Sequence, residues 1–186
     1  MPASWMRSRQ RGTMYSARGA PCPLPGSACW RHGFGFENSG GGRMLPISMS
    51  ARERAEAIIE EMNLLPEGEE RFMQIIRWGK KSPGLPQEQK TEQFRIEGCQ
   101  SMLWMVPEFR EGRCHYACDS DAFITKGVSS ILCHVYSGAT PQEVVELPLD
   151  FMERAGITQH LSPNRSNGLA QIGRRIREFA AARVGG

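Results

Sequence analysis

The sequence has no apolar run approaching the ~20 residues that a membrane-spanning helix needs, so no transmembrane segment is predicted. It also has little net charge, because 23 lysines and arginines face 20 aspartates and glutamates, giving +3 at neutral pH. An excess this small gives no argument for a nucleic-acid partner. A chain of 186 residues with 40% hydrophobic residues can bury a core of its own. We therefore expect one folded domain with an appendage.

The first 48 residues contain a single acidic residue, Glu37, and no lysine, but they contain six arginines. This segment is rich in Gly, Pro and Ser and has no periodic apolar pattern. We predict that residues 1–48 are a disordered Arg/Gly/Pro-rich extension and that residues 49–186 form the folded domain. The extension is interpreted as upstream sequence from a mis-set start codon in preference to an organellar transit peptide. The predicted location is cytoplasmic, or an organelle such as a plastid if the segment is a transit peptide.

Closely spaced cysteine pairs of the C-x2-C type are missing, although the chain has six cysteines. The tightest pair is Cys114 and Cys118, which would share one face of a strand while His115 points to the other. We see no secretory signal, and so we expect reduced thiols rather than a disulfide framework. No bound metal is predicted.

Apolar periodicity, caps and turns predict a definite order of elements. They are a helix from Ser50, a helix from about Pro66 to Gly79, strands near 102–106 and 113–118 joined at Glu111-Gly112, a helix ending at Gly138, a short helix after Thr140, and a final helix from about 163 to 183. Helices followed by a small antiparallel sheet and further helices are typical of an α+β fold.

Cys99 is the main candidate for chemistry. It follows Gly98, is followed by Gln100 and Ser101, and precedes an apolar run typical of a strand. A loop at a strand entrance gives a thiol the access that its chemistry needs. The alternative is a buried free cysteine, which packs as a small hydrophobic residue. The local run does not decide between the two.

Three other residues have both a functional and a structural interpretation. Asp121 can cap the helix that follows it. Arg165, just after Ser162-Pro163, can dock a partner or form a structural salt bridge. His160 can carry a proton near neutral pH or serve as a structural hydrogen-bonding group.

Three blocks resemble the SufE family of sulfur acceptors for cysteine desulfurases. The blocks are Gly98-Cys99-Gln100-Ser101-x-x-Trp104, Asp119-Ser120-Asp121-Ala122-x-Ile124-x-Lys126-Gly127, and Leu161-Ser162-Pro163-Asn164-Arg165-Ser166-Asn167-Gly168-Leu169 preceded by Thr158-Gln159-His160. The resemblance covers about residues 50–183. Two positions depart from the family pattern: Phe94 stands where a polar residue is expected, and Cys118 where glycine is usual.

The resemblance implies an antiparallel sheet packed against several helices, as in SufE and IscU-like proteins. It implies that Cys99 accepts sulfane sulfur from the persulfide of a SufS-type cysteine desulfurase, stimulating its turnover. The sulfur would then pass to a SufBCD-type Fe–S scaffold. Gly98, Gln100 and Ser101 would support the loop, and Arg165, Asp121 and His160 would bind the partner or support the structure.

On this interpretation the protein is an accessory sulfur carrier with a covalent persulfide intermediate and not a stand-alone enzyme. It needs no cofactor of its own, since pyridoxal phosphate belongs to the desulfurase. No membrane or nucleic-acid partner is implied, and any self-association is expected to be a weak homodimer. The alternative function is a metal- or cluster-binding assembly scaffold of the IscU type, which needs at least three well-placed ligands.

Overall fold

The structure is a computed structural model that describes residues 49–98 and 101–185. Six α-helices and two strands follow one another in these ranges, with short 3₁₀ turns between some of them. The elements are α1 (Ala51–Asn63), α2 (Glu69–Lys81), β1 (Leu103–Arg110), β2 (Arg113–Ser120), α3 (Phe123–Tyr136), α4 (Pro141–Glu146), α5 (Phe151–Arg154) and α6 (Pro163–Ala181). The predicted α+β class is confirmed. Among the described helices, none combines the length and the apolar character needed to cross a membrane.

The two strands form an antiparallel hairpin whose register runs from Leu103 opposite Ser120 to Arg110 opposite Arg113. Glu111 and Gly112 both have positive φ, at 52° and 73°, which is the geometry of a tight two-residue hairpin turn. The predicted turn is therefore confirmed, and the strands continue beyond the predicted 102–106 and 113–118. The additional strand residues pair because the tight turn leaves the ladder of hydrogen bonds between the two strands uninterrupted.

Capping boxes begin α1 and α4, where the sequence predicts helices from Ser50 and after Thr140. The Ser50 hydroxyl accepts a hydrogen bond from the Glu53 amide, and Thr140 does the same with Glu143. The second helix, by contrast, begins later than predicted, at Glu69 rather than near Pro66. Gly68 lies just before it with a φ of 92°, so the helical hydrogen-bond pattern cannot extend back through that residue.

The hairpin has a hydrophobic cluster on each face. The larger cluster joins the helices to Leu103, Met105 and Cys118. The smaller one consists of Leu85, Phe94, Val106 and Ala117, with Trp104 packed against it. The segment between α2 and β1 therefore covers the face of the hairpin that the helices leave open. Phe94, at the position where the family pattern has a polar residue, is buried in this smaller cluster.

Arg54 is a buried cation that the sequence pattern did not reveal. Its side chain on α1 is 2% exposed, and its Nε and Nη2 donate to the Val135 carbonyl at 3.0 and 2.8 Å. Its Nη1 donates to the Met49 carbonyl at 2.7 Å. Val135 lies in the last turn of α3, where carbonyl groups lack helical partners and the helix dipole favours a cation. Arg54 thus fixes α1 to the C-terminal end of α3.

His134 provides a test of the core at acid pH. Burial lowers the pKa of His134 to about 4, and its ring lies edge-on to Trp78 with the ring centroids 5.5 Å apart. In the unfolded chain the pKa of histidine is about 6.5. Above this pH, His134 is neutral in both the folded and the unfolded chain, so it adds no pH dependence to the free energy of unfolding. As the pH falls from about 6.5 towards 4, the unfolded chain binds a proton that the folded chain does not, so stability is lost.

We expect protonation of His134 in the unfolded chain to lower the free energy of unfolding by about 2 kcal/mol when the pH falls from 7 to 5. Denaturant unfolding of the wild type and of His134→Phe, which retains an aromatic contact to Trp78, measures this difference. The variant should lose less stability over that interval. Equal losses in the two proteins would mean that His134 is not buried as a neutral residue.

Candidate functional site

The segment that contains Cys99 is closed at its base by backbone pairing. The Ile96 amide donates to the Leu103 carbonyl at 2.8 Å, and Arg95 forms an antiparallel bridge with Trp104. The chain therefore leaves the edge of the hairpin after Ile96 and returns to it at Leu103. The six intervening residues, 97–102, are called the Cys99 loop below.

Cys99 and Gln100 lie outside the described residues, so their proposed roles stay predictions. Gly98, on one side, is exposed with a φ of 79°, a conformation that glycine adopts far more readily than other residues. Ser101, on the other side, is partly buried, and the Thr125 hydroxyl donates to its Oγ at 3.3 Å. Thr125 lies in the first turn of α3, so this helix contacts the exit of the Cys99 loop.

The start of α3 is a second connection to the Cys99 loop, and here one prediction is wrong. The Asp121 amide donates to the Met102 carbonyl at 3.2 Å. The N-cap is Ala122, with no side-chain cap, so Asp121 does not cap α3 as predicted. The helix begins one residue too late for the Asp121 carboxylate to occupy the N-cap position, and Ser120 Oγ instead accepts from the Ala122 amide.

A buried carboxylate lies beside this connection. The Asp119 side chain is 8% exposed and forms ion pairs with Lys90 at 2.8 Å and Lys126 at 2.9 Å. Its Oδ2 also accepts the Leu85 amide at 3.2 Å. Burial by itself would raise the pKa of Asp119, but the hydrogen bonds from Lys90 and Lys126 outweigh it and lower the pKa below its ordinary value. The carboxylate is therefore ionised at neutral pH.

Lys90 and the role of Asp119 were missed by the sequence analysis. Asp119 and Lys126 belong to one of the blocks that carry the family resemblance, but Lys90 lies 29 positions before Asp119 in a segment of irregular structure. The available signal was an aspartate directly after a predicted strand, since an acid at such a position needs a cation when it is buried. The identity of that cation depends on how the irregular segment folds back.

Two exposed apolar side chains lie in the Cys99 loop and at the start of α3. Met102, at the loop exit, is 38% exposed, and Phe123, the first residue of α3, is 54% exposed. The Lys80 ammonium group lies 5.6 Å from the centre of the Phe123 ring. Exposed apolar side chains next to a candidate reactive thiol are suited to contact another protein.

Arg165 and His160 lie together at the beginning of α6 rather than in the Cys99 loop. Arg165 is in the first turn of the helix, and His160 ends the preceding 3₁₀ turn, with its ring 6.1 Å from that of Phe72. Arg165 Nε and His160 Nε2 are both buried atoms without a hydrogen-bond partner among the described residues. No hydrogen bond or ion pair joins either side chain to the described part of the Cys99 loop.

The three cysteines among the described residues are core residues. Cys114, Cys118 and Cys133 are buried free thiols that contribute to the larger hydrophobic cluster. Burial raises the pKa of Cys114, and a hydrogen bond with Cys118, together with burial, raises that of Cys133. Protonated thiols are poor nucleophiles. A hydrogen bond with Cys133 lowers the pKa of Cys118, but its side chain is buried and has no access to a partner protein. Within residues 49–98 and 101–185, no three His, Cys, Asp or Glu side chains come together as a possible metal site.

Comparison with known proteins agrees with this architecture. A solution structure of a hypothetical protein from Thermus thermophilus matches with a TM-score of 0.60 and 21% sequence identity, over 72% of this chain and 97% of that one. At this identity the match establishes the fold. The family model described as the SufE Fe–S metabolism associated domain matches residues 56–180, which is more than half of the chain. The chain therefore belongs to the SufE family, whose domain is associated with Fe–S metabolism.

Proposed function

We propose that Cys99 accepts sulfane sulfur from the persulfide of a cysteine desulfurase and passes it to an Fe–S cluster assembly scaffold. The observation that carries this proposal is the position of Cys99. In a chain of the SufE family, it lies in a short loop whose base is closed by the pairing of Ile96 with Leu103. A cysteine between two fixed points at the edge of a hairpin can be offered to a partner without unfolding the core.

The transfer step is an exchange at sulfur. The Cys99 thiolate attacks the terminal sulfur of the donor persulfide, a new S–S bond forms on Cys99, and the donor S–S bond breaks. The donor cysteine leaves as a thiolate, so there is no net oxidation or reduction. The thiol proton of Cys99 must be lost before or during attack. The same exchange, with Cys99 persulfide as donor, delivers the sulfur to the scaffold.

The surroundings of the loop support docking to a larger partner. Gly98 places no side chain beside the cysteine, and apart from its chain neighbours a Cβ atom added at this position would meet no atom of the described residues within 4 Å. Met102, in the loop, and Phe123, the first residue of α3, provide exposed apolar area. We propose a SufS-type cysteine desulfurase as the donor and a SufBCD-type scaffold as the acceptor. Pyridoxal phosphate remains with the desulfurase, and the carrier acts in the cytoplasm.

Arg165, Asp121 and His160 are proposed to act outside the exchange itself. Asp121 is exposed beside Met102 and is available to a partner, since it does not cap α3. Arg165 and His160 each have a buried nitrogen atom without a partner among the described residues, and a local rearrangement on docking would let a partner protein satisfy them. These residues are therefore assigned to partner binding rather than to chemistry.

The test is a mass measurement on the full chain. The protein is incubated with a SufS-type desulfurase and cysteine, and intact mass followed by peptide mapping locates the added sulfur. We expect a gain of about one sulfur atom on the peptide that contains Cys99, since the exchange transfers one atom per event. An unchanged mass, or sulfur on another cysteine, would contradict the proposal. Bound cluster or metal in the purified protein would favour the assembly scaffold instead.

The buried cysteines lead to a second prediction about sulfur transfer, which complements the one for Cys99. Replacing Cys114, Cys118 and Cys133 together by alanine should leave persulfide formation on Cys99 intact, because all three side chains are buried in the core. The free energy of unfolding should fall by about 1 kcal/mol per substitution, as is usual for small core truncations. Denaturant unfolding and the same mass measurement check the two parts. A folded triple variant that takes up no sulfur would show that a core cysteine takes part in transfer.

A further inference from the structure

The Asp119 carboxylate lies where the two ends of the Cys99 loop are connected. Asp119 is on β2, directly opposite Trp104 of β1. Trp104 in turn pairs with Arg95, the residue just before the base of the loop. The carboxylate is almost fully buried and uses both oxygens in ion pairs, one with Lys90 and one with Lys126. The two lysines belong to opposite sides of the loop.

On the entry side, Asp119 fixes the segment 83–96, which runs directly into the Cys99 loop. It accepts the Leu85 amide near the start of this segment and pairs with Lys90 in the middle. The Lys90 ammonium group also lies 5.8 Å from the centre of the Trp104 ring. The segment then packs Phe94 against the smaller hydrophobic cluster before it reaches Ile96. The end of the segment is held separately, since the Ile96 amide donates to the Leu103 carbonyl and Arg175 Nη1 of α6 donates to the Arg95 carbonyl at 2.8 Å.

On the exit side, Asp119 fixes the first turn of α3. Lys126 pairs with its Oδ1, and the neighbouring Thr125 donates to Ser101 at the end of the loop. Two residues after Asp119, the Asp121 amide holds the Met102 carbonyl. One carboxylate therefore joins the segment that enters the loop to the helix that contacts its exit.

The space around the carboxylate is closely filled. A Cβ atom added at Gly84 would lie 2.8 Å from Asp119 Oδ2 and 2.9 Å from Lys126 Nζ. Gly84 also has a φ of 77°, so a side chain at this position would be both strained and obstructed. The backbone of segment 83–96 thus approaches the ion pairs as closely as it can. This contact holds the entry segment and α3 against the same group.

We propose that Asp119, acting through Lys90 and Lys126, is a positioning residue for sulfur transfer at Cys99. The inference rests on the proposed function, because it assigns a role in the exchange at Cys99. Asp119 forms no bond to sulfur and donates no proton. It holds both ends of the loop so that the thiolate approaches the donor persulfide in the reactive alignment. A small misplacement of a reacting group lowers the rate without lowering the reactivity of the group itself.

The test compares two reactions of the same thiol. The first is single-turnover sulfur transfer from a persulfidated SufS-type desulfurase, measured at several carrier concentrations. The second is alkylation of Cys99 by iodoacetamide, followed by peptide mass spectrometry in the full chain. Transfer requires correct alignment with a donor site, whereas a small reagent requires only access and ionisation. Both are measured at a temperature at which circular dichroism shows every variant to be folded.

For Asp119→Asn, we expect the maximal transfer rate to fall roughly tenfold or more, as misplacement predicts. The half-saturating carrier concentration and the alkylation rate should stay near their wild-type values. Glu56→Gln is the charge-matched control, since Glu56 joins α1 to Arg154 of α5 through two hydrogen bonds of 2.8 Å. It removes one carboxylate charge from a pair that does not contact the loop, and it should transfer sulfur at the wild-type rate.

Lys126 provides an independent arm if Asp119→Asn fails to fold. Lys126→Arg retains the cation and should keep transfer, whereas Lys126→Met should lose it while alkylation persists. Unchanged transfer in Asp119→Asn, equal loss of transfer and alkylation, or equal behaviour of the two Lys126 variants would each overturn the inference. A wild-type protein that takes up no sulfur on Cys99 would refute the proposed function, and the inference with it.

Discussion

Replacing Cys99 by serine is expected to abolish stimulation of the desulfurase. The substitution changes one atom in a side chain whose neighbour Gly98 is exposed, so the fold should persist. A serine hydroxyl is hardly ionised near neutral pH, whereas a thiol provides a useful fraction of thiolate, which is the species that attacks sulfur. The measurement is desulfurase turnover with cysteine as substrate, at increasing concentrations of wild type or variant.

Binding measured in parallel makes the result specific. Cys99→Ser should still bind the desulfurase, because contact rests on the surrounding surface. Arg165→Ala should behave in the opposite way, binding more weakly while keeping an alkylatable Cys99, since no hydrogen bond or ion pair joins Arg165 to the described part of the loop. Full stimulation by Cys99→Ser would refute the carrier role and would indicate an allosteric activator.

Replacing Gly127 by alanine is expected to cause a large loss of stability. A Cβ atom at Gly127 would lie 2.1 Å from the backbone oxygen of Ile75, and one at Gly79 would lie 2.2 Å from that of Phe123. The backbones of α2 and α3 therefore touch at both glycines. A clash with the backbone of another helix cannot be relieved by a side-chain rotation, so the two helices must separate. Such overpacking costs about 3 kcal/mol at the upper end of its usual range.

Alanine also improves helix propensity by about 1 kcal/mol, which offsets part of this cost. The net loss of about 2 kcal/mol corresponds to a fall in the thermal midpoint of roughly 6 °C for a domain of this size. Gly173→Ala in α6 is the matched control, because its nearest obstacle is the Cδ1 atom of Leu149, a side chain that can rotate away. Thermal unfolding should show a clear fall for Gly127→Ala and little change for Gly173→Ala. Equal midpoints would mean that α2 and α3 do not touch at this position.

Local hydrogen bonds and turns were predictable because the residues that form them are close in sequence. Ser50 with Glu53, Thr140 with Glu143, and the turn at Glu111-Gly112 each lie within a few positions, and all three are present. The start of α2 and the cap of α3 were predicted wrongly. In those places several residues could have begun the helix, and the backbone conformations of Gly68 and Ala122 decided the boundary.

The sequence by itself determined the family and the α+β order of elements, because three ordered motif blocks and the apolar periodicity are written along the chain. It also singled out Cys99, although the described residues show only the base of its loop. The tertiary structure alone decided which cations meet Asp119, that Arg54 is buried against the end of α3, and that the segment before the loop covers the second face of the hairpin. These contacts join residues up to 81 positions apart. Which residues meet in these contacts depends on how the whole chain folds, and no local sequence pattern specifies the pairing.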